Sequence, residues 1–213
     1  MFHLIYPRKC TLCQKLLRPE ETDFCHDCRE NTEKFTKSKS HIPFVAHWTA
    51  LWYYKGNVRE SMHRFKFGRR RHYANVFGRL LAMKVSNSVA EDTDILSWVP
   101  IFWLRKLKRG YDQSELLCRA LGKELGIPAA PVLKKIRHTP PQSGLRDAAR
   151  RRANVMGAYK AIDPKSLTGK RILLIDDVVT TGATTSECAR VLLTAGAKEV
   201  YLAAIAAASH DKR

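Results

Sequence analysis

The chain of 213 residues contains no run approaching the roughly 18 apolar residues that a membrane-crossing helix needs. Its first residues, Met1 to Lys9, are interrupted by His3, Pro7 and Arg8 and lack the apolar core and small-residue cleavage site of a secretory signal, so the expectation is a cytoplasmic protein. Acidic residues are scarce: 20 Asp and Glu stand against 38 Lys and Arg, a net charge of +18. That imbalance points to polyanionic partners, nucleic acid or phosphorylated small molecules, with a merely solvated basic surface as the plainer alternative. Internal repeats and low-complexity tracts are also missing, and a hydrophobic content of 45% excludes wholesale disorder. The length suits one ordinary core plus a small appendage.

Beyond residue 28 there are only two cysteines, Cys118 and Cys188, both in helical patterns where a small core residue fits better than a nucleophile. The other four form two CxxC knuckles, Cys10-Thr-Leu-Cys13 and Cys25-His-Asp-Cys28. Two such turns facing each other supply the four sulfurs of a tetrahedral zinc site. Disulfides are the alternative, and the missing secretory signal argues for zinc. Four thiolates leave no open position for water, so the metal is expected to be structural, holding a segment too short to have its own core. His26, between two cysteines, reads as a solvent-facing loop residue. The expected organisation is a zinc ribbon over 1–34, a linker over 35–43 and a larger domain over 44–213.

That larger domain reads as α/β. Phe44 to Tyr54 is aromatic and β-branched enough for a strand, and Gly56-Asn57 turns the chain into a short helix ending at Gly68. Ala74 to Val89 has helical spacing, Ile95 to Ile101 is a short apolar run, and Asp112 with Glu115 suggests a capping box for a helix stopped by Gly126. Val132 to Ile136 suggests another strand. Arg171 to Ile175 reads as a buried strand, Ala183 to Ala195 as a helix, and Val200 to Ala207 as a strand. Such alternation implies a mostly parallel sheet flanked by helices.

The chemistry concentrates in Ile172-Leu-Leu-Ile-Asp-Asp-Val-Val-Thr-Thr-Gly-Ala-Thr184. Asp176 and Asp177 are expected to emerge at the end of a buried strand, and Thr180, Thr181, Gly182, Ala183 and Thr184 to form a small-residue turn into a helix. That turn offers backbone N–H groups, hydroxyls and a positive helix end to a phosphate, with Gly182 allowing close approach. The carboxylates suit a vicinal diol or a magnesium ion carried by a diphosphate. A P-loop is excluded: at Gly169-Lys170 the first glycine is replaced by Pro164 and the hydroxyl residue by Arg171.

These residues resemble the phosphoribosyl pyrophosphate (PRPP) motif of type I phosphoribosyltransferases. The cysteine cluster, Arg109-Gly-Tyr-Asp-Gln113, Arg137-x-Thr139-x-x-Gln142-x-x-Leu145 with following arginines and Asn154, and the PRPP motif together follow the order of the ComF family, across nearly the whole chain. The resemblance implies a type I phosphoribosyltransferase-like fold, structural Zn2+, and Mg2+ with PRPP. It implies Asp176 and Asp177 as catalytic and ribose-binding residues, Thr180 to Thr184 on the 5′-phosphate, and Lys66, Arg109, Arg137 and Arg151 on pyrophosphate. The stretch from Arg137 to Arg152 is similar to the loop that closes over PRPP. It also implies a role in natural competence, with single-stranded DNA and other competence proteins as partners; the alternative is an active magnesium-dependent transferase with no DNA role. Arg69-Arg70-Arg71 and the aromatics Trp48, Trp52, Tyr53 and Tyr54 are the candidate DNA contacts. Asp112 departs from the family's asparagine: it can cap a helix equally well, but its charge would repel pyrophosphate. Little chain follows the last strand to build an acceptor-binding hood.

Overall fold

A computed structural model describes residues 7–36, 41–86, 89–140 and 148–208. Strands β1 (His47–Tyr53), β2 (Ile95–Trp98), β5 (Arg171–Val179) and β6 (Glu199–Ala207) form one parallel sheet in the order β1-β6-β5-β2. Between them run helices α2 (Gly56–Phe67), α3 (Tyr73–Val85), α4 (Trp103–Arg109), α5 (Gln113–Leu125) and α7 (Ala183–Thr194). The α/β reading holds, with several boundaries moved.

The two inner strands are apolar on both faces, as strands covered on two sides must be. Leu173, Ile175, Tyr201 and Ala203 join a core with α2, α3 and α5; Ile172, Leu174, Val200 and Leu202 join a second core with α7. The 35–43 stretch does not form a loose tether throughout: Phe35 is buried against Trp48 and Tyr53, and Ile42 joins the second core. Residues 37–40 of that stretch lie outside the described residues.

Three elements carry no strong sequence signal: α4, α6 (Ala148–Val155) and β4 (Tyr159–Ala161), which pairs antiparallel with β3 (Leu133–Lys135), the strand expected within 132–136. The Gly56-Asn57 pair opens α2 instead of turning the chain before it. Farther along, the Arg109 to Gln113 block proves to be a joint. Gly110 ends α4 at φ 81°, Tyr111 is buried with its hydroxyl donating to the Phe65 carbonyl, and Asp112 caps α5.

Candidate functional site

In the cysteine cluster, a tight turn sets the first knuckle: the Cys10 N–H donates to the Lys15 carbonyl at 2.8 Å and Gln14 takes a left-handed φ of 68°. Cys25 caps the short helix α1 (His26–Asn31), and Cys28 lies inside it. The four sulfurs all lie within 4.8 Å of one another, with Cys13 and Cys25 3.6 Å apart. A tetrahedron with metal–sulfur bonds of about 2.3 Å has edges of about 3.8 Å, so the cluster can hold a metal such as zinc. His26 is exposed, as expected. Helix α2 grips both knuckles: Ser61 donates to the Thr11 carbonyl at 2.7 Å and Arg64 to the Leu12 carbonyl in the first, and Asn57 reaches Cys28 Sγ at 3.7 Å in the second.

The same helix delivers Lys66 to the second site. Its ammonium lies 2.9 Å from Asp177 Oδ1. Asp176 and Asp177 do not emerge beyond β5: the strand continues through them to Val179, pairing Asp176 with Ala204 and Val178 with Ala206. The hydrogen-bond ladder tolerates polar side chains where the sheet opens onto a cleft. Burial and the Asp177 charge push the Asp176 carboxyl up to about 8, against the Lys66 charge, the Asp177 N–H (2.8 Å) and the Ser114 hydroxyl (3.3 Å).

Gly182 follows at φ 72°, where only glycine sits without strain, and opens α7. A Cβ there would come within 3.0 Å of Ile42 Cγ1, so Gly182 lets the turn pack closely against the core while its backbone lines the hollow. Between β5 and α7 lies a hollow of about 50 Å³ lined by Thr180, Gly182, Thr184 and Thr185 beside Asp176. The Thr185 hydroxyl donates to the Gly182 carbonyl at 2.9 Å. The Thr181 hydroxyl is buried without a hydrogen-bond partner. That hydroxyl does not line the hollow, whose side-chain donors are Thr180, Thr184 and Thr185. The turn therefore has the donor set, the helix end and the room for an oxyanion.

This hollow adjoins a cleft of about 340 Å³ that brings together Lys66, Arg109, Arg151, Asp176, Asp177, Thr180 and Thr184. Arg137 is not among its lining residues: its guanidinium donates to the carbonyls of Asn154 (3.1 Å) and Met156 (2.8 Å). Gln142 and Leu145 lie outside the described residues. Asp112 is buried under the cleft, accepting from the Ser114 N–H at 3.0 Å and from the Ile101 N–H at 3.0 Å. Burial pushes its carboxyl up to about 6. Glu115 pairs with Lys106 and Arg119. A reciprocal Glu115 bond to the Asp112 N–H is not among the described hydrogen bonds.

Two cleft cations escape a reading of the sequence. Arg105 donates to the Thr139 carbonyl at 2.7 Å, and Lys135 donates to the Thr139 hydroxyl at 2.8 Å. Lys135 also lies over the Tyr159 ring at 5.1 Å. Burial, then the Arg105 charge, brings its ammonium down to about 8. A larger cavity, about 610 Å³, lies between the cysteine segment, β1 and α3, but its Asp23 and Arg79 are already paired at 2.7 Å and it offers no phosphate cradle. Cys118 and Cys188 are fully buried, and burial raises both thiols.

Residues 112–213 match the family described as phosphoribosyl transferase domain. With the parallel sheet and the acidic strand leading into the oxyanion turn, this defines a type I phosphoribosyltransferase-like protein with a four-cysteine appendage. "DNA utilization protein YhgH" of Escherichia coli O157:H7 is 30% identical over 207 residues, covering 91% of this chain and 87% of that protein. "Competence protein F" of Haemophilus influenzae is 26% identical over 216 residues, covering 97% of this chain and 93% of that protein. "Competence protein ComFC" of Bacillus subtilis is 25% identical over 210 residues, covering 85% and 82%. The chain belongs to the ComF family.

Proposed function

We propose that this protein binds PRPP with magnesium in the cleft and acts in the cytoplasm, in the uptake or handling of single-stranded DNA during natural competence. The observation that carries the PRPP reading is the threonine-lined hollow at the start of α7, which lies beside Asp176 and adjoins the cleft holding Asp177 and Lys66. Thr180, Thr181, Gly182, Ala183 and Thr184 take the 5′-phosphate; Asp176 and Asp177 accept hydrogen bonds from the ribose diol. Lys66, Arg109 and Arg151 meet the pyrophosphate. Arg137, engaged with two carbonyls, is left out of this set. Magnesium, when bound, offsets the charge of the diphosphate, and hard oxygen donors such as these carboxylates suit it. The cysteine segment holds zinc as a structural brace.

The test is a calorimetric titration with PRPP, with and without magnesium. Saturable binding is expected in the wild type and none in Asp176→Asn/Asp177→Asn. Equal affinity in the double variant refutes the site.

The DNA role is supported by the printed names of the relatives and by the net charge of +18. Zinc ribbon and phosphoribosyltransferase-like domain work as one unit in this reading, and other competence proteins are the natural partners. A second reading is transfer of the ribosyl group to a nitrogen acceptor, in which a C–N bond forms at the anomeric carbon as pyrophosphate leaves. Tyr54, half-buried on the cleft wall, favours it by offering a flat acceptor a ring to stack on. Pyrophosphate release on addition of a nucleobase decides between binding and turnover.

A further inference from the structure

Three of the four aromatics suggested by the sequence pack inside the protein, and the fourth, Tyr54, lines the cleft. Trp52 is buried edge-on between Phe24 and Phe77, Trp48 and Tyr53 pack on Phe35, and Arg71 is held by the Gly110 carbonyl at 2.9 Å and the Tyr111 ring. A different surface is available. At the end of α2 and along α4 lies an open groove of about 550 Å³, lined by Lys66, Phe67, Arg69, Arg105, Lys108 and Arg109. Five of these six are cations, and no acidic residue lines the groove among the described residues. The sixth, Phe67, is 62% exposed with the Arg109 guanidinium 5.0 Å from its ring centre, and Trp103 on the neighbouring helix, outside the groove lining, is 60% exposed. No residue of α4 is buried. Helix α4 is held by its polar groups, through Arg105 to Thr139, Lys106 to Glu115 and Arg109 to Gln113, and leaves Trp103 and Leu107 outward.

Cations that meet phosphates, with exposed rings between them, are the chemistry of a sequence-tolerant single-strand track. Three of the groove's cations, Lys66, Arg105 and Arg109, also line the carboxylate cleft. A phosphodiester chain in the groove and a pyrophosphate in the cleft therefore draw on the same charges. We infer that the α2–α4 groove binds single-stranded nucleic acid and that PRPP and the strand exclude one another by competing for Lys66, Arg105 and Arg109. This rests on the proposed PRPP and DNA reading and adds to it a regulation: magnesium PRPP releases the strand, and the strand keeps the cleft from filling.

The experiment is fluorescence anisotropy of a labelled oligothymidylate on the intact zinc-loaded protein, titrated with magnesium PRPP at constant ionic strength. Saturating PRPP is expected to weaken oligonucleotide binding about tenfold or more in the wild type, the scale on which removing a few phosphate contacts acts. The same PRPP is expected to change nothing in Asp176→Asn/Asp177→Asn. Release from that variant too would mark a salt effect and overturn the competition. A second variant, Lys108→Gln with Arg69→Gln, two groove cations that do not line the cleft, is expected to weaken the oligonucleotide about tenfold while calorimetric PRPP affinity stays within about twofold. Unchanged oligonucleotide binding there overturns the location. If PRPP shows no calorimetric binding, the PRPP reading fails and the competition with it. If PRPP binds but the oligonucleotide does not, the DNA reading fails and the groove assignment with it. If both bind together without mutual effect, the competition alone is overturned.

Discussion

The two ends of helix α2 touch two sites built on opposite logics. Near its start and middle, Asn57, Ser61 and Arg64 hold the cysteine segment, which has a closed set of four sulfurs and a few apolar residues, Leu12 and Phe24 among them, lent to a core that belongs mainly to the sheet. At its end, Lys66 faces an open cleft that gathers two adjacent carboxyls, several cations and the hydroxyls of Thr180 and Thr184. The first site is finished by the metal it can hold. The second is left open for a ligand. A satisfied cluster stabilises; polar groups facing an open cleft are where binding energy is available.

Breaking the first region should have the largest effect. Cys10→Ser is expected to abolish stoichiometric zinc and to cost more than about 4 kcal/mol, the range reserved for losing a metal or a core. Elemental analysis with thermal unfolding checks it; a metal-free protein of unchanged stability would break the comparison. Because α2 is gripped by the first knuckle, PRPP affinity should fall along with the zinc.

Breaking the second region should leave the fold intact. Asp176→Asn/Asp177→Asn is expected to weaken PRPP by at least about 100-fold, roughly 3 kcal/mol, with zinc content unchanged. A smaller effect is expected at the turn itself. Gly182→Ala places a side chain at φ 72° against Ile42, and a left-handed non-glycine residue costs about 1–2 kcal/mol. Pairing it with Ile42→Val should relieve the packing part of the loss and not the backbone part, a distinction that denaturant unfolding of the single and double variants resolves.

The smallest and sharpest effect concerns Asp112, the position where the family pattern has asparagine. Its folded carboxyl is raised to about 6 from 3.8, so the folded state holds the proton more tightly than the unfolded chain. The stability tied to that proton is present below pH 3.8 and is lost as pH rises through about 6. Asp112→Asn should therefore gain in melting temperature relative to the wild type between about pH 4 and pH 7. A difference that stays constant over that range would show that burial does not perturb the group.

Much of this was legible in the sequence because local chemistry spelled it. Two CxxC knuckles can be read from spacing, and the run from Ile172 to Thr184 from four apolar residues, two acids and a small-residue turn. Asp112 as a cap was equally local, and the structure forms it with the Ser114 and Glu115 N–H groups. What could not be read depends on tertiary placement. Lys135 and Arg105 look like any other basic residues in a chain rich in them, and only the β3–β4 pair and α4 carry them to the cleft. Nor does local sequence distinguish Trp52, which the core encloses, from Trp103, which it leaves outside. The end of β5 was missed because acids are poor strand formers, yet Asp176 to Val179 remain paired to β6, which sets the carboxyls at the cleft.

The most direct test of the central claim is a crystal structure of the zinc-loaded protein with magnesium PRPP. The account predicts the 5′-phosphate in the hollow of the Thr180 to Thr184 turn, the ribose diol on Asp176 and Asp177, and the pyrophosphate toward Lys66 and Arg109. PRPP bound elsewhere, or bound with its 5′-phosphate away from that turn, would contradict it.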